Sequence, residues 1–177
     1  EMCRRDRFKL KDGERIVAAV SLDPRATIGD ITAATEDAVP PVHGVAVTSD
    51  GYSLRFGLQA FVEPSTRTGR RFARPAKSAE DIGVTTPTGE EILIVATQQA
   101  RAHLCRADEI NYLSGPGKGV ILIKIKRDTD RVLGFVASTG ERDLLTVETS
   151  RSATQTISTA KYDFTGRGGK GLELLQR

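Results

Sequence analysis

Three short stretches of the chain combine glycine with lysine or arginine: Arg67-Thr68-Gly69-Arg70-Arg71, Gly115-Pro116-Gly117-Lys118-Gly119 and Gly166-Arg167-Gly168-Gly169-Lys170-Gly171. Glycine reaches backbone angles closed to other residues and leaves N–H groups open to a close-approaching ligand. A base set among such glycines is suited to a phosphate oxygen. Further bases cluster around each stretch: Arg74 and Lys77; Lys124, Lys126, Arg127 and Arg131; Lys161 and Arg177. Arg4, Arg5, Arg7, Lys9 and Lys11 crowd the N-terminal stretch. The candidate polyanion-binding residues are Arg67, Arg70, Arg71, Arg74, Lys118, Lys124, Lys126, Arg127, Arg167 and Lys170. The plain alternative is a set of solvated loops carrying ordinary surface bases. Recurrence in register, described below, favours phosphate binding.

Other chemistries fail on spacing. Gly166 to Gly171 satisfies G-x-G-x-x-G literally, but a dinucleotide site needs a helix and an acid further on, and only Leu172 to Arg177 follow. Gly115 to Gly119 has the look of a phosphate-loop end, yet Gly119 stands where Ser or Thr is required. His43 and His103 lie in no metal-ligand pattern and read as structural. The serines lack a nucleophile elbow, and Tyr52, Tyr112 and Tyr162 read as packing residues. Cys3 and Cys105 make no disulfide framework and no CxxC pair, which points to free thiols in a reducing compartment. The expectation is no catalytic residue, no metal and no cofactor in this chain.

The glycine-and-base stretches belong to a repeat of about fifty residues. An apolar strand ending in threonine occurs as Val45 to Thr48, Leu93 to Thr97 and Leu144 to Thr149, with the threonines 49 and 52 residues apart. A polar turn and a second strand follow each: Tyr52 to Phe56, Ala100 to Leu104 and Ser152 to Thr156. Arg70 stands 22 residues after its threonine, and Lys118 and Lys170 each stand 21 after theirs. A third anchor, an acid beside an apolar strand, appears in Glu80 to Val84 and Asp130 to Phe135, with an earlier copy in Gly13 to Ala18.

The units read as strands. Val120 to Lys126 shows the alternation of a half-buried strand, and no window carries a long helical stripe. Short helical turns are expected at Ala76–Asp81 and Ala107–Tyr112. The pattern predicts an all-β disc of four-stranded blades, about four units visible: a partial unit over 1–43, then 44–91, 92–143 and 144–177, together one repeat-built domain. Such units bury both faces only by stacking on one another. Asp23 to Gly44 is extra length in the first unit. Asp30, Glu36, Asp37 and Asp50 fall between Arg25 and Arg55 with no intervening Lys or Arg, which suggests an acidic surface insertion facing away from a polyanion.

The 177 residues carry a formal net charge of +3, with 38% hydrophobic and 28% charged residues. That composition fits a folded, mildly basic domain. No stretch reaches the ~20 apolar residues of a membrane span, and the charged start shows no signal peptide. A start with neither Met nor a signal suggests a piece of a longer, cytoplasmic protein.

With those features in place, the chain resembles the C-terminal β-pinwheel domain of the A subunit of bacterial type IIA DNA topoisomerases, DNA gyrase and topoisomerase IV. The clearest match runs from Ile92-Leu93-Ile94-Val95-Ala96-Thr97 through Gly115-Pro116-Gly117-Lys118-Gly119-Val120 to Asp130-Arg131-Val132-Leu133-Gly134. The resemblance implies blades that exchange strands and a duplex bent around a basic rim. It also implies a nucleoid-associated parent enzyme that uses ATP and Mg2+ elsewhere, and as partners double-stranded DNA, the remainder of the A subunit and the B subunit. The family's gyrase box reads Q-R-R-G-G-K-G; Arg167 to Gly171 match its last five positions, whereas Thr165 and Gly166 depart from its first two. The loop stands in the last visible unit, whereas the gyrase box belongs to the first, and the resemblance leaves gyrase and topoisomerase IV both open. The alternative class is a propeller-like protein-interaction module without DNA binding, which would present an exposed apolar or aromatic patch.

Overall fold

A computed structural model of the chain describes residues 12–23, 25, 39–65, 69–126, 128–140 and 145–174. Two of the candidate bases, Arg67 and Arg127, lie outside the described residues, as do Cys3, the N-terminal bases and most of the acidic insertion.

Valine, isoleucine and threonine crowd the repeats, and among the described residues the structure is all-β, with short 3-10 turns at Gln59–Phe61 and Ala107–Glu109. In the first sheet, β1 (His43–Thr48) lies between β2 (Tyr52–Gly57) and β3 (Asp81–Thr85), both antiparallel to it. The second sheet repeats this with β4 (Ile92–Thr97) between β5 (Arg101–Arg106) and β8 (Val132–Ser138). Its register shifts between Ala96 and Thr97, where the first sheet shifts between Val47 and Thr48. The third sheet is a hairpin of β9 (Leu145–Glu148) and β10 (Thr154–Ile157).

Each complete sheet takes its outer strands from the following unit. Parallel β6 (Tyr112–Leu113) and antiparallel β7 (Val120–Ile121) pair with β2, and β11 (Leu172–Glu173) pairs with β5. Alternating side chains send Val45 and Val47 into the core between the first two sheets, with Leu93, Val95 and Ile123. Ile94, Ala96 and Leu104 face the third sheet, with Ile157 and Leu174. Ala46 and Leu54 face the opposite side, under Phe56 and Leu58. The first two sheets are therefore buried on both faces, as stacked blades require.

The hairpin turns repeat down to single hydrogen bonds. Gly51, Ala100 and Ser152 each donate the backbone N–H to the threonine three residues before, Thr48, Thr97 and Thr149, at 3.0, 3.1 and 2.9 Å. All three are left-handed, with φ of 82°, 54° and 58°. The sequence marks only the first with glycine.

Several expectations are corrected. Val120 to Lys126 is not one strand: regular pairing stops at Ile121, and the consecutive Leu122 and Ile123 are both buried, donating to the Gly51 carbonyl. Gly13 to Ala18 forms no strand. The acid anchors are out of step by one residue. The carbonyls that accept from Ser49 and Gln98 belong to Glu80 and Arg131, so Asp130 matches Ala79. Ala76–Asp81 holds one turn, closed by Ala79 N–H on the Ala76 carbonyl, before β3 begins at Asp81. The helical turn expected over Ala107–Tyr112 spans Ala107–Glu109, followed by β6.

Candidate nucleic-acid interface

Two of the three glycine-and-base turns, those of Lys118 and Lys170, sit at the junctions between sheets. At the first junction Gly119, φ +79°, lies so close to β2 that an added Cβ would be 2.2 Å from the Ser53 carbonyl oxygen. At the second, Gly171, φ +71°, lies against β5, and its Cβ would be 2.7 Å from the Ala102 carbonyl oxygen. These glycines let the next unit's strand dock on the sheet before it.

The same turns align the bases in pairs. Ala73 bridges Gly117, and the Arg74 N–H donates to the Gly117 carbonyl at 2.8 Å, which sets Arg74 beside the turn that carries Lys118. Ile123 bridges Gly169, and the Lys124 N–H donates to the Gly169 carbonyl at 2.8 Å, which sets Lys124 beside the turn that carries Lys170. All four side chains are exposed. Lys124, Lys126 and Lys170 line an open groove of about 870 Å³ with Arg101; Asp130 and Glu173 also border it. Asp130 is turned to the backbone, its carboxylate accepting from the N–H groups of Gln99 and Arg131.

Lys118 differs from Lys170 in its support. Its ammonium lies 4.1 Å from the centre of the Tyr52 ring, a cation–π contact that steadies the side chain. The repeat puts Arg101 in the place of Tyr52, four residues after the threonine. Tyr52 and Arg101 were not among the sequence candidates, although that shared position is the signal that marks them. Arg70 is exposed and donates to the Ala60 carbonyl; Arg71 is exposed beside it. Neither lies at a sheet junction of the kind that holds Lys118 and Lys170.

The Gly166–Gly171 loop is anchored on the second sheet. The Arg167 N–H donates to the Glu109 carboxylate at 2.9 Å, and the Gly168 N–H to the Leu122 carbonyl at 2.7 Å. Thr165 Oγ1 and His103 Nδ1 are 2.9 Å apart, and an added Cβ on Gly169 would stand 3.1 Å from His103 Cε1. Burial pulls the His103 imidazole below its ordinary pKa, against Glu109 and a Gly166 backbone contact. His43 is likewise buried and lowered, its Nδ1 3.0 Å from the Pro40 carbonyl. Both histidines are structural, as the sequence suggests. Burial, reinforced by the Glu109 and Asp108 charges, pushes the Cys105 thiol up to about 12. Among the described residues no group of three or more His, Cys, Asp or Glu is placed to hold a metal, and no helix is long and apolar enough to cross a membrane.

No protein-family model matches the sequence, and no curated protein matches it. Solved structures do. The C-terminal domain of a DNA topoisomerase IV aligns with a TM-score of 0.69 at 16% identity, over 78% of this chain and 43% of that domain. The C-terminal domain of a DNA gyrase A aligns with a TM-score of 0.69 at 16% identity, over 94% of this chain and 50% of that one. The E. coli ParC C-terminal domain aligns at 0.63 with 17% identity, over 74% and 55%. The chain thus spans about half the length of the domains it matches. Its fold is the strand-exchanging β-pinwheel of these topoisomerase C-terminal domains.

Proposed function

We propose that the chain binds and bends duplex DNA without sequence preference along its basic junctions, as the C-terminal part of a gyrase or topoisomerase IV A subunit. The observation that carries this reading is the recurrence of one arrangement: Arg74 beside Lys118 at one junction, and Lys124 beside Lys170 at the next, each set by the same backbone bond. Repeating units turn equivalent positions into a track, and a track of exposed bases matches a regular line of phosphates. Lys126, Arg101 and Arg167 extend it, and Arg67, Arg70, Arg71 and Arg127 are assigned to it from the sequence. Bases displace condensed counterions, and a bent duplex gains contacts that offset its elastic cost.

In this reading residues 1–177 act as one repeat-built unit with sequence boundaries near 43, 91 and 143. It works beside the rest of the A subunit and the B subunit in the bacterial cytoplasm. Strand cleavage, ATP and Mg2+ belong to other parts of such an enzyme.

A mobility-shift titration of linear duplex tests the proposal. With about six phosphates neutralised, log K falls against log salt with a slope near −5, at roughly −0.9 per phosphate. Lys124→Ala with Lys170→Ala lowers affinity equally for unrelated sequences and flattens the slope by about 2. Salt-insensitive binding, or none, overturns the reading, and loss on one sequence alone indicates base readout.

A further inference from the structure

The two sheet junctions are built alike and charged differently. Gly119 against Ser53 corresponds to Gly171 against Ala102, so Tyr52 corresponds to Arg101, Lys118 to Lys170 and Ile121 to Glu173. At the first junction the Lys118 ammonium faces the Tyr52 ring, and Ile121 pairs with Tyr52 across the strands. That cation has an attractive partner within the fold. At the second junction the ring gives way to another cation, and Arg101 and Lys170 line one open groove. Like charges gathered on one groove repel each other, and an anion between them relieves that repulsion.

The nearest acid does not fill this role. Glu173 stands directly across from Arg101 on β11, where an ion pair is the plain expectation. Among the described residues Arg101 forms no ion pair. Its Nη2 donates to the Gly171 carbonyl at 3.5 Å, a long contact, and its Nε is buried with no hydrogen-bond partner. A guanidinium is a fork of donors matched to phosphate and carboxylate oxygens, and most of this fork is unengaged. Lys124 and Lys126 enter the same groove, of about 870 Å³. The other acid on its border, Asp130, already accepts from the Gln99 and Arg131 N–H groups.

We propose that this groove is a discrete phosphate-binding site, with Arg101 as its central ligand and Lys124, Lys126 and Lys170 around it. No aromatic side chain lines it among the described residues, so it offers no platform for stacking a base. Its ligand class is therefore linked phosphates, either the backbone of a duplex or a free polyphosphate chain. The inference deepens the DNA-binding reading: a duplex lying on the track is pinned at this groove, and free polyphosphate competes with it there. Glu173 acts against the ligand, as an acid opposite the guanidinium that receives it.

The test titrates the 177-residue chain with sodium tripolyphosphate by calorimetry at low salt, then with labelled duplex in the presence and absence of tripolyphosphate. One saturable tripolyphosphate site is expected. Arg101→Gln weakens it about ten-fold or more, the weight of a charge-assisted hydrogen bond. Glu173→Gln tightens it by about two- to five-fold, an increase that a merely structural role for this strand pair does not produce. Arg151→Gln removes the same charge on the β9–β10 turn and leaves the site unchanged. Displacement of duplex by tripolyphosphate assigns the groove to the DNA backbone; tripolyphosphate binding without such competition assigns it to free polyphosphate. No saturable tripolyphosphate binding, weaker binding in Glu173→Gln, or equal losses from Arg101→Gln and Arg151→Gln overturns the inference. Those outcomes leave the DNA-binding reading to its own titration, and a chain that takes tripolyphosphate at Arg101 but retards no duplex overturns that reading alone.

Discussion

At the scale of the residue, glycine and its substitutes at positive φ give the sharpest expectations. Ala100 and Ser152 hold a left-handed conformation that costs an L-residue about 1 kcal/mol or more. Ala100→Gly and Ser152→Gly are each expected to raise stability by ~0.5–1 kcal/mol, once glycine's added freedom in the unfolded chain is subtracted. Thermal melts against the parent chain read this out, and a lowered Tm contradicts it. Gly119→Ala is expected to do the reverse, by more than ~2 kcal/mol, because its Cβ would stand 2.2 Å from a backbone carbonyl as well as at positive φ. Cys105, fully buried and with its thiol at about 12, should resist iodoacetamide at pH 8 in the native chain and react in urea. His103 adds a pH dependence. Its folded-state pKa is lowered, so the unfolded chain binds the proton first, and stability present above about pH 6.5 is lost as pH falls through that value. The urea midpoint should therefore drop between pH 7.5 and 5.5, and drop less in His103→Asn.

At the scale of the element, the sequence announces the first and second strands of each unit well. Thr48, Thr97 and Thr149 sit at equivalent turns, because a strand must end where the chain reverses, and at Thr48 and Thr97 the register shifts as well. It announces the connecting segments poorly. Val120 to Lys126 has an alternating pattern, but Leu122 and Ile123 are both buried because the chain passes between two sheets and meets apolar surface on both sides. The acids before β3 and β8 occupy different repeat positions, since one binds the turn backbone through its carboxylate and the other does not. The candidate site was legible where glycine forces contact. Arg74, Lys118, Lys124 and Lys170 were all candidates from the sequence, but the pairing of Arg74 with the Lys118 turn and of Lys124 with the Lys170 turn is set by backbone bonds across about 45 residues, which no local pattern encodes. Tyr52→Ala should lower DNA affinity two- to five-fold by releasing Lys118 from its ring, the weight of an exposed cation–π contact of ~0.5–1 kcal/mol. A fluorescence-anisotropy titration measures it, and a change confined to kinetics of folding would exclude that role.

At the scale of the whole molecule, exposed charge is modest in sum and ordered in place. A net +3 is unremarkable for 177 residues, yet the junctions gather Arg74, Lys118, Lys124 and Lys170 at repeating positions, with Lys126 beside Lys124, while Asp130 is turned inward to the backbone. Charge reversal there should matter far more than the same reversal elsewhere. Lys124→Glu with Lys126→Glu is expected to abolish retardation of duplex at physiological salt, whereas Arg15→Glu, distant in the repeat and paired with Glu80, should alter it little. Comparable losses from both would argue for diffuse attraction rather than a track.

The lending of β7 and β11 to the sheet before them has a consequence for how the chain is made. The first sheet draws on residues from His43 to Ile121, so it stays incomplete on the ribosome until its successor has emerged. At about 5–20 residues per second of synthesis, that leaves its outer edge bare for several seconds. Each unit acts in effect as the chaperone of the one before it, and the order of birth along the chain becomes the order in which exposed edges are sealed.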